Sequence, residues 1–188
     1  NELLSRALIR VADDLRQGTG DTAWSSAERA LRLAYPDDNE VEDSEAALAV
    51  VEEIKAAGGE AIANGGSVSD RQGAVSIVED AMKAWGRVDI LINNAGILRD
   101  KSFVKMDADD FQTVIDVHLM GAAYVTKAVW PIMREQGYGR IVMTTSPSGL
   151  FGNFGQTNYG AAKLGLVGFM NTLKIEGAKY NIHTNSIA

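Results

Sequence analysis

Tyr159, Lys163 and Ser146 have types and spacing that could carry proton chemistry, and all three lie within "TTSPSGLFGNFGQTNYGAAKLGLVGF". Tyr159 and Lys163 stand four apart in a segment of helical period, so their side chains share one face and can meet a common ligand. A phenol that ionises near ~10 is a poor acid-base catalyst at neutral pH, and a nearby ammonium favours its phenolate. Tyr159 is thereby a candidate general acid/base. The spacing alone equally describes a solvated surface pair. The small and apolar residues of "YGAAKLGLVGF" argue instead for a buried helix. Ser146 closes the strand-like "IVMTTS", thirteen residues before the tyrosine. No G-x-S-x-G elbow surrounds it, so the role open to it is hydrogen-bond donor to a substrate oxygen rather than nucleophile. A capping serine is the plain alternative, and Ser148 competes for either job.

Two further groups fall at the ends of predicted strands. Asn93, Asn94, Ala95 and Gly96 follow the apolar run Val88 to Ile92, which suits a strand buried on both faces. They can bind a ligand by side chain and backbone, bridge strands, or simply make a turn. Asp70 follows "NGGSVS" and can accept a hydrogen bond from a ligand amine or cap the next helix.

The elements that must position these residues alternate. "DRQGAVSIVEDAMKAWG" is a helix closed by Gly86, and "DADDFQTVIDVHLMGAAYVTKAVWPIMREQG" is one long helix capped by Asp107, bent late by Pro131 and ended at Gly137. "GRIVMTTS" and "NIHTNSIA" are strands, with the tyrosine helix between them. Such alternation predicts an α/β fold, a doubly wound parallel sheet in three α/β/α layers. In such sheets ligands bind at the carboxyl ends of the strands, where Asn93, Ser146 and Asp70 would lie. "SEAALAVVEEIKAAGG" adds a helix with Ser44 as its cap, and "EAIANGG" a short strand. Residues 1–43 form an atypical segment. Leu4, Leu8, Val11 and Leu15, then Trp24, Ala27, Leu31 and Ala34, recur at helical spacing, although "ALIRV" is also strand-like. Residues 44–188 read as the core domain, cut within its last strand.

Composition narrows the function classes. A net charge of -7 over 188 residues disfavours nucleic acid as a partner. No apolar run reaches the roughly 18 residues needed to span a bilayer, and the first residues lack the order of a signal peptide, which predicts an intracellular chain without a membrane partner. There are no cysteines and only two histidines, His118 and His183, so no metal site is expected.

Taken together, "NNAG", the serine thirteen residues ahead of a tyrosine, and Tyr-x-x-x-Lys resemble the short-chain dehydrogenase/reductase family over roughly residues 44 to 188. The strings "NNAGILRDKSF", "VHLMG", "YGRIVMTTS" and "GNFGQTNYGAAKLGL" are similar to a narrower branch, the (3R)-hydroxyacyl-CoA dehydrogenase modules of peroxisomal multifunctional enzymes type 2 and their bacterial relatives. The resemblance implies a Rossmann-type fold and hydride transfer between a nicotinamide cofactor, NAD before NADP, and a secondary alcohol or ketone of the 3-hydroxyacyl-CoA type in fatty acid metabolism. Tyr159 would move the alcohol proton, Lys163 would lower its pKa and hold the nicotinamide ribose, and Ser146 would orient the substrate oxygen. Asn93 to Gly96 would line the cofactor cleft and Asp70 would touch the adenine. It also implies a homodimer or homotetramer paired through the helices around Phe111 to Met133 and Tyr159 to Lys174, with Gly121, Ala122, Gly160, Ala161 and Gly165 allowing close approach. The compartment would be cytoplasmic in a bacterium and peroxisomal in a eukaryote.

This chain departs from the family pattern twice. His118 stands where the broader family places an asparagine of a proton relay, a role that a neutral imidazole can fill, and a histidine packed within the helix is the equal alternative. Residues 1 to 43 show no Gly-rich phosphate turn, since Gly18-Thr19-Gly20 has no third glycine and follows no clear strand. The contrasting expectation is therefore an inactive scaffold that binds no dinucleotide.

Overall fold

Apolar runs too short for helices, each followed by a long amphipathic stretch, leave the chain one way to bury both. Parallel strands are joined by helical crossovers, because parallel neighbours cannot be linked by a tight turn. The computed structural model describes residues 7–9 and 43–188. Their elements are β1 (Ala7–Ile9), α1 (Asp43–Ala56), β2 (Ala61–Ala63), α2 (Arg71–Trp85), β3 (Ile90–Asn93), α3 (Ala108–Ile115), α4 (Gly121–Gln136), β4 (Gly139–Thr144), α5 (Pro147–Phe151), α6 (Thr157–Gly177) and β5 (Ile182–Ile187). β3, β4 and β5 form a parallel sheet in that order, with Ile92 opposite Val142 and Val142 opposite Asn185. The α/β alternation expected from the sequence is what the chain builds.

β4 is the central strand, and its alternation shows on which face the core lies. Ile141 and Met143 are almost wholly buried together with Val129 and Met133 of α4, Leu166 of α6 and Ile182 of β5. The expectation that β3 is buried on both faces is corrected: Leu91 is buried, whereas Ile92 on the opposite face is 46% exposed. α4 explains the asymmetry. It covers the Leu91 side, where Asn93 reaches Thr126, and among the described residues no such bond to α4 lies on the Ile92 side. Gln136, the last residue of α4, fastens that helix to the start of the strand. Its side-chain amide accepts from the Val88 N–H (3.0 Å) and donates to the Val88 carbonyl (2.8 Å).

The long helix predicted from Asp107 to Gly137 starts and stops as expected. Asp107 accepts the Asp110 N–H at 2.7 Å, and Gly137 leaves the helix at φ 63°. Pro131 lies inside α4, which continues to Gln136. Between α3 and α4 the backbone widens into a π turn over Asp116–Met120, which the apolar periodicity did not reveal.

One expectation is corrected upstream. β1 pairs antiparallel with β2, Leu8 opposite Ile62, so Ala7–Ile9 is a strand where helical spacing was read. Ladder bonds to a strand about fifty residues away override a weak local preference. The other N-terminal helical readings and Gly18-Thr19-Gly20 lie outside the described residues. Of the small residues assigned to close approach between subunits, Gly121, Gly160 and Gly165 also pack closely within this chain. A Cβ on Gly121 would stand 2.8 Å from Val68, one on Gly165 2.9 Å from Leu119, and one on Gly160 3.1 Å from the Ser148 carbonyl. Ala122 is buried as well.

Gln136→Ala removes partners from both backbone groups of Val88 and is expected to cost ~1–3 kcal/mol. Urea unfolding followed by circular dichroism measures it, and an unchanged midpoint would show that the Gln136 link contributes nothing.

Candidate active site

Lys163 is carried inward because its helix packs closely on the sheet and on α5. A Cβ at Gly149 would lie 2.8 Å from the Leu164 nitrogen, so only glycine lets α5 sit on this turn of α6. The lysine is 3% exposed, which discards the surface-pair reading. Its ammonium donates to the Thr144 carbonyl, the last of β4, at 2.6 Å. Burial lowers its pKa from 10.5 to about 8, so it remains mostly charged at neutral pH. The Nζ atom lies 5.3 Å from the centre of the Tyr159 ring. Thr144 also donates its hydroxyl to Asn94 Oδ1 (2.8 Å), which joins the ends of β3 and β4 to the lysine through one residue.

Period two separates the paired asparagines. Asn94 faces this cluster, while the Asn93 amide turns to Thr126 of α4 (3.1 Å) and the Met143 sulfur (3.3 Å). Gly96 is required by its neighbour, since a Cβ there would lie 2.4 Å from His118 Cε1. The His118 imidazole fills the space that the missing side chain leaves. Its Nε2 lies 3.0 Å from the Ile97 nitrogen and 2.8 Å from the Ile97 oxygen, and its ring meets Tyr159 edge-on at 5.1 Å between centroids. Burial and then the Lys163 charge push the His118 pKa down to about 4, against a smaller opposing contribution from the Ile97 bond. The ring is neutral at physiological pH, and its buried Nδ1 has no hydrogen-bond partner among the described residues.

Ser146 caps α5, its hydroxyl accepting the Ser148 N–H at 3.2 Å. The helix it starts abuts the Tyr159–Lys163 turn through Gly149 and Gly160, which sets the serine beside that turn. Asp70 is exposed and caps α2 by accepting the Gly73 N–H at 2.8 Å. The loop before it is shaped by Asn64, which accepts the Gly66 N–H (2.7 Å) and donates to Asp80 (2.6 Å). The structure therefore gathers Tyr159, Lys163, His118, Asn94 and Gly96, with Ser146 alongside and Asp70 at a separate strand end. Sequence reasoning missed Thr144, whose role is played by its carbonyl, and Asn158, a wholly buried amide beside the tyrosine. Among the described residues no group of three or more histidine, cysteine, aspartate or glutamate side chains can hold a metal ion, and no helix is long and apolar enough to cross a membrane.

A family model described as short chain dehydrogenase matches residues 39–188. The chain belongs to the short-chain dehydrogenase family. It is 60% identical over 146 residues to the peroxisomal hydratase-dehydrogenase-epimerase of Saccharomyces cerevisiae, which covers 78% of this chain and 16% of the yeast protein. It is 43% identical over 183 residues to the 3-oxoacyl-[acyl-carrier-protein] reductase of Synechocystis, covering 97% of this chain and 73% of that protein. Among solved structures, the full-length peroxisomal multifunctional enzyme type 2 of Drosophila melanogaster matches with a TM-score of 0.65 at 49% identity, over 73% of this chain and 24% of that one. The chain thus spans a small part of the yeast and fly proteins. Its family places it among oxidoreductases.

In this short-chain dehydrogenase the neutral His118 has a consequence for stability. Unfolded histidine takes up a proton near pH 6.5 and folded His118 not until about 4, so the fold loses stability as pH falls through that window. This one residue accounts for roughly 3 kcal/mol. Urea denaturation between pH 7 and 4.5 is expected to show a shallower loss for His118→Asn than for the parent chain; identical slopes would exclude the protonation penalty.

Proposed function

We propose that this chain transfers a hydride between a nicotinamide dinucleotide, NAD by preference, and the 3-position of a 3-hydroxyacyl or 3-oxoacyl thioester. The observation that carries the reading is the buried Lys163 ammonium, held on the Thr144 carbonyl beside the Tyr159 ring. A desolvated cation next to a phenol is a means of holding a phenolate at neutral pH. The phenolate takes the hydroxyl proton as the C–H bond of the same carbon gives up its hydride, and in the reverse direction the phenol returns that proton to the oxygen. Ser146 orients the substrate oxygen by donating a hydrogen bond, which requires its hydroxyl proton to point away from the Ser148 N–H that it accepts.

The residues present fit the nicotinamide half of such a cofactor. Among the described residues Lys163 makes one hydrogen bond, which leaves ammonium protons for ribose hydroxyls. Asn94, Ala95 and Gly96 would line the cleft, with Asn93 setting the pose of the strand end and Asp70 meeting the adenine. When bound, the nicotinamide supplies the hydride acceptor or donor. Support for an acyl thioester comes from the relatives' names and from apolar residues around the site. Leu150, Phe151 and Phe154 are exposed after Ser146, as are Leu98 and Phe103 after Gly96, and the two segments are joined by a bond from the Lys101 N–H to the Gly155 carbonyl (3.0 Å). The compartment that goes with this reading is the peroxisome in a eukaryote and the cytoplasm in a bacterium.

Cofactor fluorescence during titration with NADH and NADPH tests binding directly. Saturable binding that is tighter for NADH, with 3-oxoacyl thioester reduction in the parent and at least a 10³-fold loss in Tyr159→Phe, is expected. A folded parent that binds neither nucleotide would establish the scaffold instead. Pairing as a homodimer or homotetramer through the α3–α4 and α6 helices completes the proposal; light scattering is expected to give two or four chain masses, and a monomer would remove it.

A further inference from the structure

The first turn of α6 poses a local problem that the sequence pattern does not reveal. Backbone N–H groups at a helix start have no partner within the helix, and Gln156, the residue before Thr157, offers no side-chain cap. A bond from the Gly160 N–H to the Gln156 carbonyl at 2.7 Å opens the helix, one residue after the Tyr159 N–H. Asn158 acts from inside the turn, its Oδ1 accepting the Tyr159 N–H at 2.8 Å. The same amide donates from Nδ2 to the Arg99 carbonyl (3.2 Å) and to the Asp110 carbonyl (3.4 Å). Asn158 is itself 0% exposed, and its three bonds reach partners that are only partly covered.

The Arg99 carbonyl belongs to the connection between β3 and α3, and the Asp110 carbonyl to the first turn of α3. Around them Lys101 pairs with Asp110 and with Asp107 (3.3 Å), and the Gln156 amide donates to Asp100 (2.8 Å). Salt bridges and the Gln156 contact lie at the surface, where such pairs hold little. Asn158 is a buried side chain that connects this segment to the tyrosine backbone, while His118 links the neighbouring Ile97 to the tyrosine ring. A leucine of similar volume would fill the space and leave one donor and two acceptors with fewer partners.

We infer that Asn158 is a positioning residue for the reaction proposed above, holding the Tyr159 backbone and the 98–110 segment in one fixed relation so that the phenol stands where the proton is transferred. The inference rests on that proposed reaction for its kinetic readout, but it has a second readout that does not. In the full chain with 13C-labelled tyrosine rings, the Tyr159 signal, assigned by its loss in Tyr159→Phe, reports the ionisation of that phenol.

Asn158→Ala is expected to move the Tyr159 titration midpoint upward by about one pH unit, because the ring is no longer held beside the Lys163 ammonium. It is expected to lower kcat by about 10²-fold with KM for the nucleotide within a factor of about three, the pattern of a misplaced reacting group. Thr184→Val serves as the control, since Thr184 is also buried (1% exposed) but lies on β5, and it is expected to leave both readouts as in the parent. A folded Asn158→Ala chain with parental midpoint and kcat overturns the inference. Should that variant not fold, Asn158→Asp keeps the side chain's size and the acceptor for Tyr159 while losing the donor. A tenfold or greater fall in its kcat supports the link to the 98–110 segment, and a parental kcat overturns it. A parent chain without turnover whose Tyr159 midpoint still moves on Asn158→Ala would refute the oxidoreductase reading while leaving this inference standing.

Discussion

The bond from the Lys163 ammonium to the Thr144 carbonyl is the constraint on which the rest of the site depends. A lysine placed 3% exposed in a packed helix face must find a strong acceptor or lose its proton, and the strand end supplies the acceptor. Because that carbonyl is the last of β4, the bond fixes the rotation of α6 against the sheet. Tyr159, one turn earlier on the same face, inherits its position from it. Thr144 then passes the restraint sideways to Asn94, so the ends of two strands and one helix are registered by two hydrogen bonds. The fall of the lysine pKa from 10.5 to about 8 amounts to roughly 3 kcal/mol against the charged form.

Most of this arrangement was legible in the residues, for identifiable reasons. Parallel strands announce themselves as short apolar runs, and their carboxyl ends are where polar residues interrupt the run, so Asn93–Gly96 and Ser146 were placed on one edge without coordinates. Tyr159 and Lys163 were readable because helical spacing is local. What escaped notice was either backbone or geometry. The Thr144 carbonyl carries no side-chain signature, and the π turn over Asp116–Met120 changes which face His118 presents without changing the apolar pattern. Asn93 and Asn94 looked equivalent, and only strand alternation gives one to Thr126 and the other to Thr144. The small residues along α4 and α6 signal close approach without naming the neighbour, because close approach has no address in a sequence. Val68, Leu119 and the Ser148 carbonyl, all in the same chain, are what they accommodate.

Gly96 and His118 illustrate a second kind of dependence, in which absence of a side chain is the structural element. The imidazole occupies the volume that a Cβ at position 96 would need, so loop and helix are complementary at the scale of one methyl group. The widened turn gives His118 a backbone that reaches this loop, and the bond to Ile97 locks the loop in return. A ring held this way orients what it touches, including the edge contact with Tyr159.

The two nitrogenous bases of this pocket also decide its charge. Lys163 and His118 share a desolvated region, and each raises the cost of a proton on the other, as the lowering of the His118 pKa by the lysine shows. With apparent values of about 8 and about 4, the competition is settled for the lysine by several powers of ten. Between those values the pocket holds a single positive charge, located at the Thr144 carbonyl beside the tyrosine ring. A second charge on His118 would be repelled by Lys163, would have no carboxylate among its hydrogen-bond partners, and would lie against the Ile97 N–H. The neutral histidine therefore does more than fill space. By staying neutral it adds no second charge beside Lys163, whose ammonium lies 5.3 Å from the centre of the Tyr159 ring.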